Sequence, residues 1–345
     1  MNLRLLSPIC FAFCAALSGC SSLAGEPPKG ADEAPPAEAA ALMREVGEKA
    51  GGTIVWSSSR VGNHDLFTMK TDGSDVKQIT KGDEVDWFPR YSPSGAQILF
   101  CRSKQGWVSE RDANASEKWD IYTVKPDGSD AKKVVDGASW GSWISEDEIL
   151  FVRGTKVFKS KLGGEETALM DSEGVSELGG ALLQQPELSS DGKFLAVTLR
   201  GSKRETGIWN IAKKTWTQTG LGCQINWTPD RSSIYWVHPT GNGGSRVLKM
   251  PIDNGAPPKD VDEDKLEFMD LPGRRSHEYF PQLSRDGKWM VWGITQRGHD
   301  HDTADYEIYL WEVGTPPEKA ARLTYNSAND RWPDVFVPGA GSGSP

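Results

Sequence analysis

The residues best able to do chemistry are five histidines, His64, His238, His277, His299 and His301, with the carboxylates beside them. The densest stretch is His299-Asp300-His301-Asp302. Alternate side chains of an extended loop point to one side, so His299 and His301 can face one divalent ion. Asp302, Asp305, or His277 with Glu278 can complete that set. The spacing matches no zinc signature, and a solvated polar loop is the simpler reading. Trp107 stands among Glu110, Arg111, Asp112, Glu117 and Lys118. Exposed, it suits sugar or protein binding; otherwise it packs under its loop. There is no Gly-x-Ser-x-Gly, His-Glu-x-x-His or P-loop. The expectation is a binding module without a resident cofactor, and the alternative is a metal-dependent, carbohydrate-active enzyme.

The scaffold that positions these residues is written as a repeat. One string appears as FPRYSPSGAQILF (88–100), QPELSSDGKFLAV (185–197), QINWTPDRSSIYW (224–236) and FPQLSRDGKWMVW (280–292), with a worn copy, WGSWISEDEILF (140–151). Each reads as strand, turn, strand, because Pro presets φ, Ser or Asp bonds back to the backbone, and Gly accepts φ > 0. A second string follows each, as in DLFTMKTDGSDVKQIT (65–80) and DIYTVKPDGSDAKKVV (120–135), with looser copies after 156, 207, 246 and 307. Asp-Gly or another Gly turn joins its two strands in most copies. Six second strings meet five complete first strings. The sixth is split: residues 331–336 supply its start and 53–56 its end. The pattern predicts an all-β fold, a six-bladed β-propeller of four-stranded antiparallel blades closed by the two ends of the chain. Each blade takes about 48 residues of the window 53–338.

With the first string supplying strands A and B of a blade and the second strands C and D, the tight A–B and C–D turns gather on one face. The long connections, residues 102–119, 171–184, 262–279 and 293–305, gather on the other, where binding is expected. All five histidines fall on that long-loop face. The candidate binding residues there are His64, Trp107, His238, His277, Glu278, His299, His301 and Asp302. Trp56, Trp87, Trp143, Trp227, Trp236, Trp292 and Trp332 sit at repeat positions and are expected as core between blades.

The rest of the sequence sets the context. Lys and Arg number 39 against 48 Asp and Glu, a net charge of −9. That balance disfavours nucleic acid and anionic lipid as main partners. Residues 5–17 form an apolar run too short to span a bilayer and fit a signal-peptide h-region. Residues 21–52 are rich in Ala, Pro, Glu and Gly and read as a flexible tether, with a short helix at 37–49. Residues 339–345 read as a disordered tail. Cys101 and Cys223 are expected as free thiols.

Two resemblances follow. Leu17-Ser18-Gly19-Cys20 resembles the bacterial lipobox, in which the signal (1–20) is cut before a cysteine that becomes lipidated. Cys20 would then be the lipid attachment site. Ser21 after it implies the periplasmic side of the outer membrane, with the lipid as sole membrane contact. The doublet of Ser-Pro-x-Gly and Asp-Ile-Tyr-x-Val-x-x-Asp-Gly-Ser resembles the WD-type repeat of TolB-like propellers over about 285 residues. The separate α/β domain of TolB has no counterpart here. This resemblance implies a monomeric periplasmic module whose partners are envelope proteins. A polysaccharide-lyase-like activity is the alternative by fold analogy.

Overall fold

The turns of the first string form by the mechanism their residues imply. In the computed structural model, Gly95, Gly192 and Gly287 donate backbone hydrogen bonds to Ser92, Ser189 and Ser284 at 2.8–2.9 Å. The Ser189 and Ser284 hydroxyls donate to Asp191 and Asp286 and accept from the amides of Phe194 and Trp289 at 3.0 Å. Thr228, Asp230 and Ser233 repeat this pattern in the copy that lacks glycine, and Arg231 takes the left-handed conformation there, φ +57°.

The structure describes residues 32–242, 244–296 and 298–339. Six four-stranded antiparallel sheets stand around one axis. Numbered from the closing blade, blade I comprises Asp330–Phe336, Thr53–Ser58, Asp65–Lys70 and Lys77–Gln78. Blades II to VI begin with the inner strands Asp86–Tyr91, Ser139–Trp143, Leu182–Leu188, Cys223–Trp227 and His277–Leu283. The architecture is a six-bladed β-propeller. The split repeat closes it: Thr53 pairs with Phe336, Ile54 with Val335, Val55 with Asp334 and Ser58 with Asp330.

The seams between blades carry the apolar core. Trp56, Met69, Trp289, Leu310 and Val335 join blades VI and I. Trp292, Ile294, Tyr235 and Val247 join V and VI. Trp236, Ile225, Ala196 and Ile208 join IV and V. Trp56, Trp236 and Trp292 therefore hold the seam positions expected of them, each at most 1% exposed.

Trp87 packs as expected between blades II and III, against Trp119 and Trp140, whereas Trp332 packs at the axis. Every inner strand carries a register shift. At each, one residue turns left-handed, at φ +53° to +62°: Phe88, Trp140, Gln185, Gln224, Phe280 and Trp332. That conformation costs roughly 1–2 kcal/mol for a non-glycine residue, and its repetition in six blades shows it is a device. Trp140 of blade III and Trp332 of blade I are not on adjacent blades, yet their rings lie 5.5 Å apart. They can meet only across the axis. Phe88 is 5.1 Å from both, Trp87 is 4.6 Å from Trp140, and Phe280 is 4.3 Å from Trp332. Gln224 accepts the Phe280 amide at 2.5 Å. An aromatic plug thus fills the middle of the channel.

The stretch read as a tether is not free from Asp32 onward. Glu33 donates to the Tyr325 carbonyl, and Asp32 pairs with Arg60 at 3.0 Å. Residues Ala37–Ala50 form a helix ended by Gly51 at φ +62°, where only a residue tolerant of left-handed backbone fits. Met43, Val46 and Ala50 pack into the seam between blades VI and I, and a Cβ on Gly47 would lie 2.3 Å from that of Asp72. The apolar stripe of the helix therefore covers the turn side of the closing seam. The signal, Cys20 and residues 21–31 and 340–345 lie outside the described residues. Among the described residues no helix is long and apolar enough to cross a membrane. Cys101 and Cys223 are unpaired, and burial pushes the Cys101 thiol up to about 12.

Candidate functional site

On the long-loop face two connections reach across the axis and meet on the closing strand. The loop of blade II carries Glu110 in a short 3-10 turn, Glu110–Asp112, begun by Ser109. The loop of blade VI carries residues 298–306. Between them stands Arg331, fully buried. Its Nη1 donates to Glu110 Oε2 at 3.0 Å, to Asp302 Oδ1 at 3.2 Å and to the His301 carbonyl. Glu110 Oε2 also accepts the Trp332 indole N–H at 2.8 Å, and Glu110 Oε1 lies 2.6 Å from His301 Nδ1. Asp302 accepts the Glu110 amide at 3.0 Å and the Ser109 hydroxyl at 2.5 Å. Asn329 holds the His301 carbonyl at 2.7 Å. One guanidinium and two carboxylates thus tie blades I, II and VI together above the aromatic plug. Nη2 and Nε of Arg331 and Nε2 of His301 are buried without a protein partner.

The residues singled out from sequence fall into three places. His277, His299 and His301 gather around Tyr279. His299 is exposed and stacks on that ring at 5.7 Å, His301 meets it edge-on at 5.3 Å, and His277 is half-buried against Gly244. Burial lowers the pKa of His277; burial first, then the charges of His301 and His277, lowers that of His299. His301 Nδ1 and Asp302 are engaged with Glu110, Ser109 and Arg331, which leaves Nε2 as the free nitrogen of His301. Among the described residues no three His, Cys, Asp or Glu are grouped to hold a metal ion. His64 and Trp107 form the second place. His64 is fully buried, its Nδ1 3.3 Å from the Ser57 hydroxyl and its ring 5.8 Å from the half-buried Trp107. Burial, aided by the Arg331 charge, holds its pKa well below the usual imidazole range. His238 stands apart on blade V, bonded to Thr240 at 2.9 Å and 3.6 Å from Glu263.

Glu278 does not face the rim. It is fully buried beside blade V, where Oε1 accepts the Leu271 amide at 2.8 Å and Oε2 has no partner. Burial pushes its pKa up to about 8. The unfolded chain loses this proton near 4.5, so the folded state binds more protons throughout the interval between. Stability contributed by this group is present at low pH and is lost as pH rises from about 4.5 to about 8. Glu278→Gln is expected to flatten that decline and to raise the melting temperature at pH 8 relative to pH 5. Parallel pH–melting curves for the two proteins would remove Glu278 as its cause.

Sequence reasoning missed the Glu110–Arg331–Trp332 junction. Glu110 was visible only as one charge in a long loop, and Arg331 only as the start of a closing strand. Their meeting depends on how far two loops from different blades lean over the axis, which no local pattern encodes.

No family model matches the chain. A curated Agrobacterium fabrum protein, "Uncharacterized protein Atu1656", is 42% identical over 50 residues, covering 14% of this chain and 17% of that protein. Similar solved structures include TolB from Acinetobacter baumannii, with TM-score 0.37 and 14% identity, covering 80% of this chain. This chain spans 53% of that TolB chain. An Agrobacterium tumefaciens protein with a provisional TolB assignment has TM-score 0.49 and 13% identity, with 81% and 97% of the two chains covered. An oligogalacturonate lyase in complex with manganese has TM-score 0.42 and 14% identity over 76% of this chain and 71% of its own.

Proposed function

We propose that this chain is a cell-envelope β-propeller that binds protein partners with its long-loop rim. In this reading it is a monomer, held by a lipid on Cys20 at the periplasmic side of the outer membrane. The observation that carries the reading is the junction at Arg331. It fixes the two longest reaches of the rim, residues 104–118 and 298–306, to the closing blade, so the surface they present is set before any partner arrives. Association then orders little of the protein, which lowers the entropic cost of binding. Above the junction the rim offers His299 on Tyr279 and the ion pair of Arg111 with Asp300, whose side chains are 78% and 36% exposed.

The test is capture from detergent-solubilised envelopes by the acylated protein, with partners identified by mass spectrometry. Arg111→Ala/His299→Ala is expected to fold normally and to lose the specific partners. Retention of the same partners by that double variant would move the docking surface elsewhere. Cys20→Ala is expected to shift the protein from the membrane to the soluble fraction, and a membrane-bound variant would refute the anchor.

A further inference from the structure

The chain enters the ring through a latch that the junction at Arg331 does not use. Arg60 follows the strand Thr53–Ser58, and Asn326 lies in the connection that leads to Asp330, so both stand on the long-loop side of the closing blade. Arg60 is held in place there. Its Nη2 donates to Asp330 Oδ2 at 3.1 Å, and its guanidinium carbon lies 5.3 Å from the Trp56 ring and 5.0 Å from the Phe67 ring. Its Nη1 reaches both oxygens of Asp32 at 3.0 Å. Asn326 donates to Asp330 at 2.9 Å and to Asp32 at 3.3 Å, and the Glu33 amide donates to the Tyr325 carbonyl at 2.6 Å.

The base of this latch is buried: the side chains of Arg60 and Asp330 are 8% and 0% exposed. It is therefore not a surface pair that solvent screens away. Asp32, whose side chain is 57% exposed, marks where the chain comes out. From Ala37 the helix carries the chain to Gly51 on the turn side, and Met43, Val46 and Ala50 fix its course in the seam. The amino-terminal segment thus enters on the long-loop side and starts the strand Thr53–Ser58 from the opposite face.

Residues 21–31 are all that separates Cys20 from Asp32. A leash of that length spans at most about 40 Å when fully extended. Blade strands of six or seven residues make the ring about 20 Å tall. With the exit on the long-loop side, the rim can approach the bilayer directly. Bringing the turn face down instead makes the leash pass the height of the ring first, which uses about half its reach and leaves it few conformations. We propose that the long-loop rim faces the membrane to which Cys20 is anchored, and that its partner is a protein embedded in or anchored to that same leaflet. The proposal deepens the rim reading and rests on it, because the lipid on Cys20 belongs to that reading.

The experiment puts one fluorescent dye at either end of blade IV, on the exposed positions Ser202→Cys at the rim or Ser190→Cys in the A–B turn, in a Cys223→Ala background. The membrane-extracted proteins are reconstituted on vesicles of phosphatidylethanolamine and phosphatidylglycerol that carry a headgroup-labelled acceptor lipid. The strand between the two positions sets them about 20 Å apart, so energy transfer from 202 is expected to exceed that from 190 by about twofold. Inserting about twenty Gly and Ser residues between Ala24 and Gly25 is expected to bring the two signals together. Equal transfer without the insertion, or stronger transfer from 190, would overturn the orientation. So would a difference that survives the insertion, since the leash would then not set it. Flotation with the vesicles checks the anchor separately: a protein that does not float would refute the lipid on Cys20, and the orientation would fall with it. Unfolding curves of the labelled variants verify that each is folded. Proteins captured by the rim are expected in carbonate-washed membranes, and partners that the wash releases would overturn the assignment of the partner.

Discussion

Deleting residues 330–337 is expected to abolish the cooperative folding of the ring, whereas deleting 340–345 is expected to leave the melting temperature unchanged. The first deletion takes the inner strand from blade I and leaves Thr53–Ser58 with an unpaired edge. It removes Trp332 from the plug, a loss of about 3–5 kcal/mol by analogy with buried Trp-to-Ala changes. It also removes Arg331 from between two buried carboxylates and the Asp334 acceptor from the Tyr91 amide. Domains of this kind are stable by about 5–15 kcal/mol in total, so these losses together are of the same size as the whole. Thermal unfolding followed by tryptophan fluorescence and calorimetry reads both deletions. Equal melting temperatures would mean that the paired ends do not hold the ring closed.

This closure was legible in the sequence because it rests on counting. Six C–D strings against five A–B strings leave one blade to be assembled from residues 53–56 and 331–336, and the register of Ile54 with Val335 is that blade. The Ser-x-Asp-Gly turns were legible for a different reason, since their hydrogen bonds run between residues two to five apart. The axis was not. Trp332 looks in sequence like the aromatics that fill seams, and a left-handed residue inside a strand has no marker when it is Phe, Trp or Gln. Nor was the docking of the helix Ala37–Ala50 visible, because Ala-rich composition gives helix propensity but not the seam that its Met43 and Val46 occupy. At the rim, the His299–Asp302 string was correctly placed on a long loop. What its side chains face was decided by Glu110, some 190 positions earlier.

Arg331→Met is expected to destabilise the protein by about 3–5 kcal/mol, well beyond the loss of an exposed ion pair. Its side chain is fully buried, and Glu110 and Asp302 are 7% and 11% exposed. Methionine would fill much of the volume but leave two carboxylates buried together without their cation. Glu110→Gln is expected to cost less, since the amide oxygen can still accept the Trp332 indole N–H and Asp302 still neutralises Arg331. In the Arg331→Met/Glu110→Gln double variant one of the two stranded charges is gone, so its destabilisation should fall short of the sum of the single changes by more than 1 kcal/mol, the order expected for coupled neighbours. Hydrogen exchange gives the local readout. Amides in 104–118 and 298–306 should exchange faster in Arg331→Met, while those of the outer strands Arg246–Pro251 and Glu267–Met269 of blade V, away from both loops, keep their wild-type rates. Additive free energies with unchanged exchange in the two loops would show that the junction does not order the rim, and the preorganised docking surface would lose its support.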